Sequence, residues 1–388
     1  MSVIPAIAAF AEELTAIRQD FHAHPELGFE EVRTSGIVAD TLRSYGVDEV
    51  HTGLGGTGVV ALIKGQGGGN RRVGLRADMD ALPIEEASGV AFQSTNPGRM
   101  HACGHDGHTT MLLGAARYLA DTRNFDGTVV LIFQPAEEGL GGARRMIAEG
   151  LFEKFPCDEI YGMHNDPNSE PGVVSVTPGP AMAGASFFDI TIKGTGSHAA
   201  MPHQSQDPIV IGTTLVQQLQ SVVSRNVPPT KPLVLSVTRF NSGSAYNVVP
   251  GVATIAGTIR YFHDEVIEMA EARVRDLCGG VALGYGVEIE VELRNVFDVL
   301  VNDPDLSTAY LTAAADVVGP DMASESTQQA TGSEDFADML KVVPGAYCRV
   351  GHAGSVPLHN PAFVLDDAIL PVGASIYARI VESRLPKA

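Results

Sequence analysis

Tryptophan is absent from this 388-residue chain, aromatic residues make up only 6% of it, and there are four cysteines. So little aromatic material gives no aromatic pocket from which a ligand could be read. No apolar run reaches the ~18 residues of a spanning helix, which argues against a helical membrane protein. Glu12, Glu13 and Asp20 arrive without the basic segment and long apolar core of a secretory leader. Cys103, Cys157, Cys278 and Cys348 lie far apart and form no Cys-x-x-Cys pair. A reducing, cytoplasmic setting is therefore expected rather than a disulfide framework. Basic residues are outnumbered 26 to 46, and a net charge of −20 argues against a nucleic-acid partner. The chain also lacks a Gly-x-Ser-x-Gly elbow, a His-Glu-x-x-His helix and a Walker-type Gly-Lys-[Ser/Thr]. Serine-triad and phosphate-loop readings lose their usual support.

What is present fits a packed soluble protein of two to three domains, with 44% apolar and 19% charged residues. Ile7, Ala11, Leu14, Ile17 and Phe21 recur at helical spacing, and a second helix is predicted from about Glu30 to Tyr45. Strands are predicted at Val59–Lys64, Val73–Ala77, Thr128–Phe133, Glu159–Met163 and Val173–Val176, with Gly67–Gly69 as a hairpin turn. Helices near 107–122 and 142–152 alternate with the later strands, which points to a mostly parallel sheet. Gly53–Gly58 fits Gly-x-Gly-x-x-Gly, but a strand rather than a helix follows, so no dinucleotide site is expected. From 185 to 294 the order becomes βαββαβ, with Asp207-Pro208 opening the first helix and alternating Val287–Arg294 as the last strand. The fold class expected is thus α/β. A mostly parallel-sheet domain over 1–184 and 295–388 carries an inserted ferredoxin-like domain over 185–294.

Candidate ligands cluster just after the predicted strands of the larger domain. Asp78 and Asp80 follow one strand, Glu137 and Glu138 a second, and His164 ends a third. Cys103 and His105 lie in a turn before a helix, and His359 lies beyond a strand near Ala346–Val350. In open α/β sheets the carboxyl edge is where ligands bind. Imidazole and thiolate suit zinc and later transition ions, and carboxylates also suit manganese. Neighbouring glutamates in extended chain point in opposite directions. One of Glu137 and Glu138 is then free to ligate while the other faces a metal-activated water as general base. Each residue alone also has a plain reading: Cys103 as a small buried residue, His164 as a core histidine, Glu137-Glu138 as a solvated turn. His101 and His108 read as supporting rather than ligating.

The chain resembles the aminoacylase/carboxypeptidase metallohydrolase family, in its amidohydrolase branch with hippurate hydrolase, auxin–amino acid conjugate hydrolases and N-acetyldiaminopimelate deacetylase. The motifs that carry the resemblance run almost end to end. They are His-Pro-Glu-Leu-Gly (24–28), Arg-Ala-Asp-Met-Asp-Ala-Leu-Pro-Ile (76–84), Met-His-Ala-Cys-Gly-His-Asp-Gly-His (100–108), Gln-Pro-Ala-Glu-Glu-Gly (134–139) and Gly-Met-His-Asn (162–165). Ser-His-Ala-Ala-Met-Pro-His (197–203), Gly-Ser-Glu-Asp-Phe (332–336) and Leu-His-Asn-Pro (358–361) complete them.

By position, the resemblance implies two divalent ions, with Mn2+ or Zn2+ foremost and Co2+ or Ni2+ as alternatives, held by Cys103, His105, Glu138, His164 and His359. It implies Glu137 as general base, His198 as the group that polarises the substrate carbonyl across a homodimer formed through the inserted domain, and Asn247 and Arg260 as substrate-binding residues. Peptidase branches carry a histidine ligand and an orienting aspartate around positions 78–80. This chain departs there, so Asp78 is left outside the ligand set and Asp80 is expected to orient the site. The expected reaction is hydrolysis of an N-acyl amino acid to a carboxylate and a free amino acid, with no nucleic acid or membrane as partner. A metallo-dipeptidase or aminopeptidase using the same machinery, and a non-catalytic binding protein, are the other readings.

Overall fold

Runs such as Gly58–Lys64 (GVVALIK) and Thr128–Gln134 (TVVLIFQ) are almost wholly buried, because β-branched and aliphatic residues fit a sheet covered on both faces. They belong to an eight-stranded sheet in the computed structural model, which describes residues 2–354 and 356–387. Its order is Glu49–Leu54, Gly58–Lys64, Thr128–Gln134, Arg72–Asp78, Glu159–Asp166, Gly345–Gly351, Val174–Val176, Ala323–Glu325. The middle four strands, from Thr128–Gln134 to Gly345–Gly351, are mutually parallel. Antiparallel pairings appear only outside them. Because those four run the same way, residues that follow each of them emerge at one edge. Helices Ala11–Ala23, His105–Thr122, Pro304–Val318 and Leu370–Arg384 share a core with the sheet through residues such as Leu14, Leu112, Val317, Ile376 and Cys348.

The chain divides into two compact units: Met1–Gly179 with Val301–Gln328 and Asp335–Ala388, and Pro180–Leu300 with Gln329–Glu334. The smaller unit therefore begins before residue 185, and it takes in a short segment from the Gly-Ser-Glu-Asp-Phe region that sequence alone placed with the larger domain. Its antiparallel sheet has the order Leu233–Ser242, Val252–Tyr261, Gly184–Lys193, Glu288–Phe297. Helices Pro208–Ser221 and Asp264–Tyr285 complete the βαββαβ order. Asp207 caps the first of these by accepting from Ile209 N. A separate core built on Phe188, Ile190, Leu215, Ile255 and Val274 holds the unit together.

One local expectation fails and another is met with a break. Gly67–Gly69 is not a hairpin turn, because Gly58–Lys64 and Arg72–Asp78 do not pair; each pairs with Thr128–Gln134 between them. Gly69 N instead donates to Asp126 Oδ1 at 2.7 Å. The stretch 142–152 is two short helices, Gly142–Ala148 and Leu151–Lys154, interrupted at Gly150 with φ +90°. Gly53–Gly58 connects two antiparallel strands, as its lack of a following helix implied.

Candidate metal centre

Cys103 and His105 flank Gly104, whose φ is +92° and where a Cβ would meet Asn165 Nδ2 at 2.3 Å. Only glycine fits that turn without strain, and the helix His105–Thr122 begins immediately after it. Around the turn the donors converge. Cys103 Sγ lies 3.4 Å from His164 Nε2 and 3.3 Å from His359 Nε2. His359 Nε2 is 3.3 Å from Glu138 Oε1, which is in turn 4.0 Å from His105 Nε2. Cys103, His105 and His164 offer ligand atoms within 4.8 Å of one another, and so do Cys103, Glu138 and His359. All five residues expected as ligands thus fall into two overlapping triads that share the thiol. His359 reaches the cluster from a left-handed backbone, φ +62°, pinned by its N–H donating to Ala102 O at 2.8 Å. Such strain in a non-glycine residue persists only where surrounding structure enforces it.

The histidines are oriented from behind. His105 Nδ1 sits 2.9 Å from the Asp80 carbonyl, and His164 Nδ1 sits 2.6 Å from the Asn165 carbonyl. A carbonyl only accepts, so each Nδ1 carries hydrogen and each Nε2 is turned toward the cluster. His105 Nε2 is buried and finds no hydrogen-bond partner. An orphaned imidazole nitrogen beside a thiol, a carboxylate and a second imidazole fits a divalent ion of the zinc or manganese class.

Charge in the cluster follows from its geometry. Burial, reinforced by Glu138, raises the Cys103 thiol above its usual value. Hydrogen bonds to Cys103 and Glu138 push His359 up to about 10. Burial opposes protonation of His105, but Asp78 and Cys103 outweigh it and hold it well above the ordinary imidazole value. Burial and the neighbouring His108 hold His164 well below it. A divalent ion competes with these protons and displaces them on binding.

Glu137 and Glu138 correct one expectation. They do not sit in extended chain pointing opposite ways; residues 137–139 form a turn, with Gly139 N donating to Glu137 O at 2.6 Å. Both carboxylates therefore reach the same cluster, within 4.8 Å of the His105 ligand atom and of each other. Asp80, 1% exposed, fastens the turn by accepting from Glu137 N and Glu138 N, each at 3.0 Å.

Asp78 stands behind the ligands. Its Oδ2 accepts from Arg76 Nη1 at 2.7 Å, and its Oδ1 is 2.7 Å from His108 Nδ1. His108 Nε2 accepts from Asn165 N at 3.0 Å, so both nitrogens of that ring are committed. His108 cannot ligate without surrendering a buried partner, whereas Asp78 keeps lone pairs to spare, and its Oδ2, 3.8 Å from His105 Nε2, makes a further candidate triad with His105 and His108. Asn165 also donates to Cys103 O at 2.6 Å, which couples the strand end bearing His164 to the turn bearing Cys103. Sequence reasoning did not single out Asn165, although it closes the Gly-Met-His-Asn motif.

His198, Asn247 and Arg260 all belong to the smaller unit. His198 pairs with Val248 in a two-stranded ribbon, and Ala199 N donates to Asn247 O at 3.0 Å. His198 and Asn247 line one exposed concavity. Arg260 is half-buried on Val252–Tyr261, where Nη1 donates to Ser333 Oγ at 2.6 Å. No described carboxylate pairs with it, which leaves most of its guanidinium donors available.

Comparison with known proteins adds an independent line. Hippurate hydrolase of Campylobacter jejuni is 39% identical over 380 residues, covering 98% of each chain. N-acetylcysteine deacetylase of Bacillus subtilis is 38% identical over 373 residues, covering 96% of this chain and 97% of the relative. A Bacillus subtilis crystal structure, described as a dinuclear metal-binding peptidase from the M20 family, matches with a TM-score of 0.85 and 34% identity, covering 98% of this chain and 100% of that one. The profile of the peptidase family M20/M25/M40 matches residues 74–383, a span that contains every donor of the cluster, and the chain belongs to that family.

Proposed function

We propose that this protein is a metal-dependent amidohydrolase that cleaves N-acyl amino acids to a carboxylate and a free amino acid. The observation that carries the reading is the pair of donor triads sharing Cys103, with the Glu137 carboxylate beside them. The relatives' names, a hippurate hydrolase and an N-acetylcysteine deacetylase, support the substrate class. Two divalent ions held by Cys103, His105, Glu138, His164 and His359 would supply an activated water, with its pKa lowered to about 7, and a Lewis acid for the acyl carbonyl. Mn2+ or Zn2+ suits this mixed donor set best, and Co2+ or Ni2+ is an acceptable substitute.

Glu137, 6% exposed, takes the proton of the attacking water and returns it to the departing amine. His198 polarises the acyl carbonyl and steadies the developing negative charge. Asn247 and Arg260 hold the substrate's polar groups, and a guanidinium suits a carboxylate through two parallel hydrogen bonds. Asp80 orients the Glu137–Glu138 turn. The smaller unit serves as the dimerisation element, and His198 acts across that dimer. Four free cysteines support a reducing, cytoplasmic setting.

Glu137→Gln tests the base. With metal content unchanged, kcat on a panel of N-acyl amino acids should fall about 10²–10⁴-fold, and near-wild-type turnover would reject the assignment. Free and acylated N-termini in the same panel separate this activity from that of a dipeptidase or aminopeptidase. Mixing His198→Ala with Glu138→Ala protein should restore activity in exchanged dimers; no recovery would place His198 in its own subunit's chemistry or outside it.

A further inference from the structure

The segment His-Pro-Glu-Leu-Gly-Phe-Glu-Glu at 24–31 has no part in the chemistry above, yet it is built against the turn bearing Glu137 and Glu138. Glu26 serves the helix Val32–Ser44, its carboxylate accepting from Arg33 N at 3.1 Å and Thr34 N at 2.8 Å. Glu31 occupies that helix's N-cap position but makes no side-chain cap. Its fully buried carboxyl instead accepts from Ala136 N at 2.8 Å and from the Thr57 hydroxyl at 2.6 Å. The approach is close: a Cβ on Gly28 would come within 3.0 Å of Ala136 Cα.

Ala136 is itself unusual. It is fully buried, with φ +56°, in the left-handed region that L-residues avoid. A left-handed residue in such a run gathers successive N–H groups into a concavity that accepts anions. Here three consecutive N–H groups meet two carboxyls: Ala136 N meets Glu31, and Glu137 N and Glu138 N meet Asp80. Burial lifts the Glu31 carboxyl to about 7, against the opposing hydrogen bonds from Thr57 and Ala136. A neutral amide can therefore stand in for it, with Oε1 accepting from Ala136 and the NH2 donating to Thr57. Without any acceptor the Ala136 N–H is left unsatisfied in the interior, and only Asp80 on the next two N–H groups and Gly142 N on the Ala136 carbonyl remain to hold the left-handed turn.

We propose that Glu31 is a positioning residue, whose side chain holds Ala136 in its left-handed conformation and so aims Glu137 and Glu138 at the metal cluster. The inference rests on the assignment of Glu137 as base and Glu138 as ligand.

The test compares Glu31→Ala, Glu31→Gln and the double variant Glu31→Ala/Ala136→Gly. Two readouts are used: kcat and KM on an N-acyl amino acid, and Co2+ titration of the chelator-stripped protein followed by thiolate-to-cobalt absorption at Cys103. A misaimed base and ligand should lower kcat of Glu31→Ala about 100-fold with KM within about threefold. One of the two Co2+ ions should bind about tenfold more weakly. Glu31→Gln should stay within about threefold of wild type in both readouts, because its amide keeps the acceptor. Ala136→Gly should recover about tenfold of the lost kcat in the double variant, since glycine takes positive φ freely. Wild-type behaviour of Glu31→Ala, or a loss shared by Glu31→Gln and unrelieved by Ala136→Gly, would overturn the proposal. If Glu31→Ala does not fold, Glu31→Asp applies the same test, because its shorter side chain keeps the charge and loses the reach; unchanged kcat and Co2+ affinity would again overturn it. Absence of turnover on every acylated substrate would reject the amidohydrolase reading alone, since the Co2+ titration still decides the role of Glu31.

Discussion

Replacing His22 by glutamine should flatten the pH dependence of stability between about pH 7 and pH 10. The ring is 1% exposed and bracketed by carboxylates, with Nδ1 2.9 Å from Asp106 Oδ2 and Nε2 3.1 Å from Glu86 Oε1. Burial alone would depress an imidazole here, but Asp106 and Glu86 outweigh it and push His22 up to about 9. Only the imidazolium donates from both nitrogens. The other charged neighbour is Arg18, 3.4 Å from the same Asp106 oxygen and held on its far side by Asp367. His101, with its ring 6.4 Å away, is held neutral by burial at about 4. Phe92 closes the remaining side with its ring at 5.6 Å.

Because the folded value lies above the unfolded one of about 6.5, the stabilisation is fully present below that pH and is lost as pH rises through about 9. The rise from about 6.5 to about 9 corresponds to about 3 kcal/mol, most of it lost between pH 7 and pH 10. Urea unfolding of wild type and His22→Gln across that range measures it. Taking the difference between the two proteins cancels every titration they share. A difference that stays within about 0.5 kcal/mol over the range refutes the imidazolium assignment, since it should shrink by at least about 2 kcal/mol.

Removing divalent ions with a chelator should lower the unfolding midpoint of the larger unit and leave the smaller unit's transition in place, because all five donors belong to the larger one. An ion present at about 100 times its Kd contributes about 2.7 kcal/mol, so calorimetry with and without Mn2+ resolves the shift; movement of both transitions together would contradict it. Gly104→Ala should reduce metal affinity at least about tenfold, since the new Cβ would stand 2.3 Å from Asn165 Nδ2 at a φ of +92°. Unchanged binding in a Co2+ titration would show that the turn adapts without moving Cys103.

Much of this was legible from strand ends. Asp78, Glu138 and His164 lie at or just beyond the ends of Arg72–Asp78, Thr128–Gln134 and Glu159–Asp166, and the parallel arrangement of those strands gathers them at one edge. The smaller unit was legible because its last strand alternates strictly and Asp207 caps its first helix. The turn at 137–139 was not, because it depends on Asp80 accepting two backbone N–H groups from 57 and 58 residues away. In sequence Glu31 falls only at the start of the helix expected from about Glu30, and His22 only beside Phe21 at the end of a helically spaced run. Their partners lie 105 residues away at Ala136, and 64 and 84 residues away at Glu86 and Asp106. Periodicity reports which face of an element is buried; it carries no information about which distant carboxyl completes a buried polar group.

That limit matters because the interior behind the donors is unusually ionic. Arg18, Arg76, Asp78, Asp80, Asp106 and Asp335 are each no more than 1% exposed. A lone ion in such a place costs several kcal/mol, and even a paired one is often replaceable by apolar side chains without loss of stability. Arg76 lies between Asp78 at 2.7 Å and Asp335 at 3.2 Å, and Arg18 lies between Asp106 and Asp367. An apolar core could fill the same volume, but it could not hold His108 against Asp78 or fix the turn of Glu137 and Glu138 through Asp80. These charges are therefore best explained by orientation of the donors rather than by net stability. Substituting Asp80 alone should therefore lower metal affinity as well as melting temperature, because it frees the Glu137–Glu138 turn and removes a buried acceptor. Breaking Arg18–Asp106 should, by contrast, lower the melting temperature first.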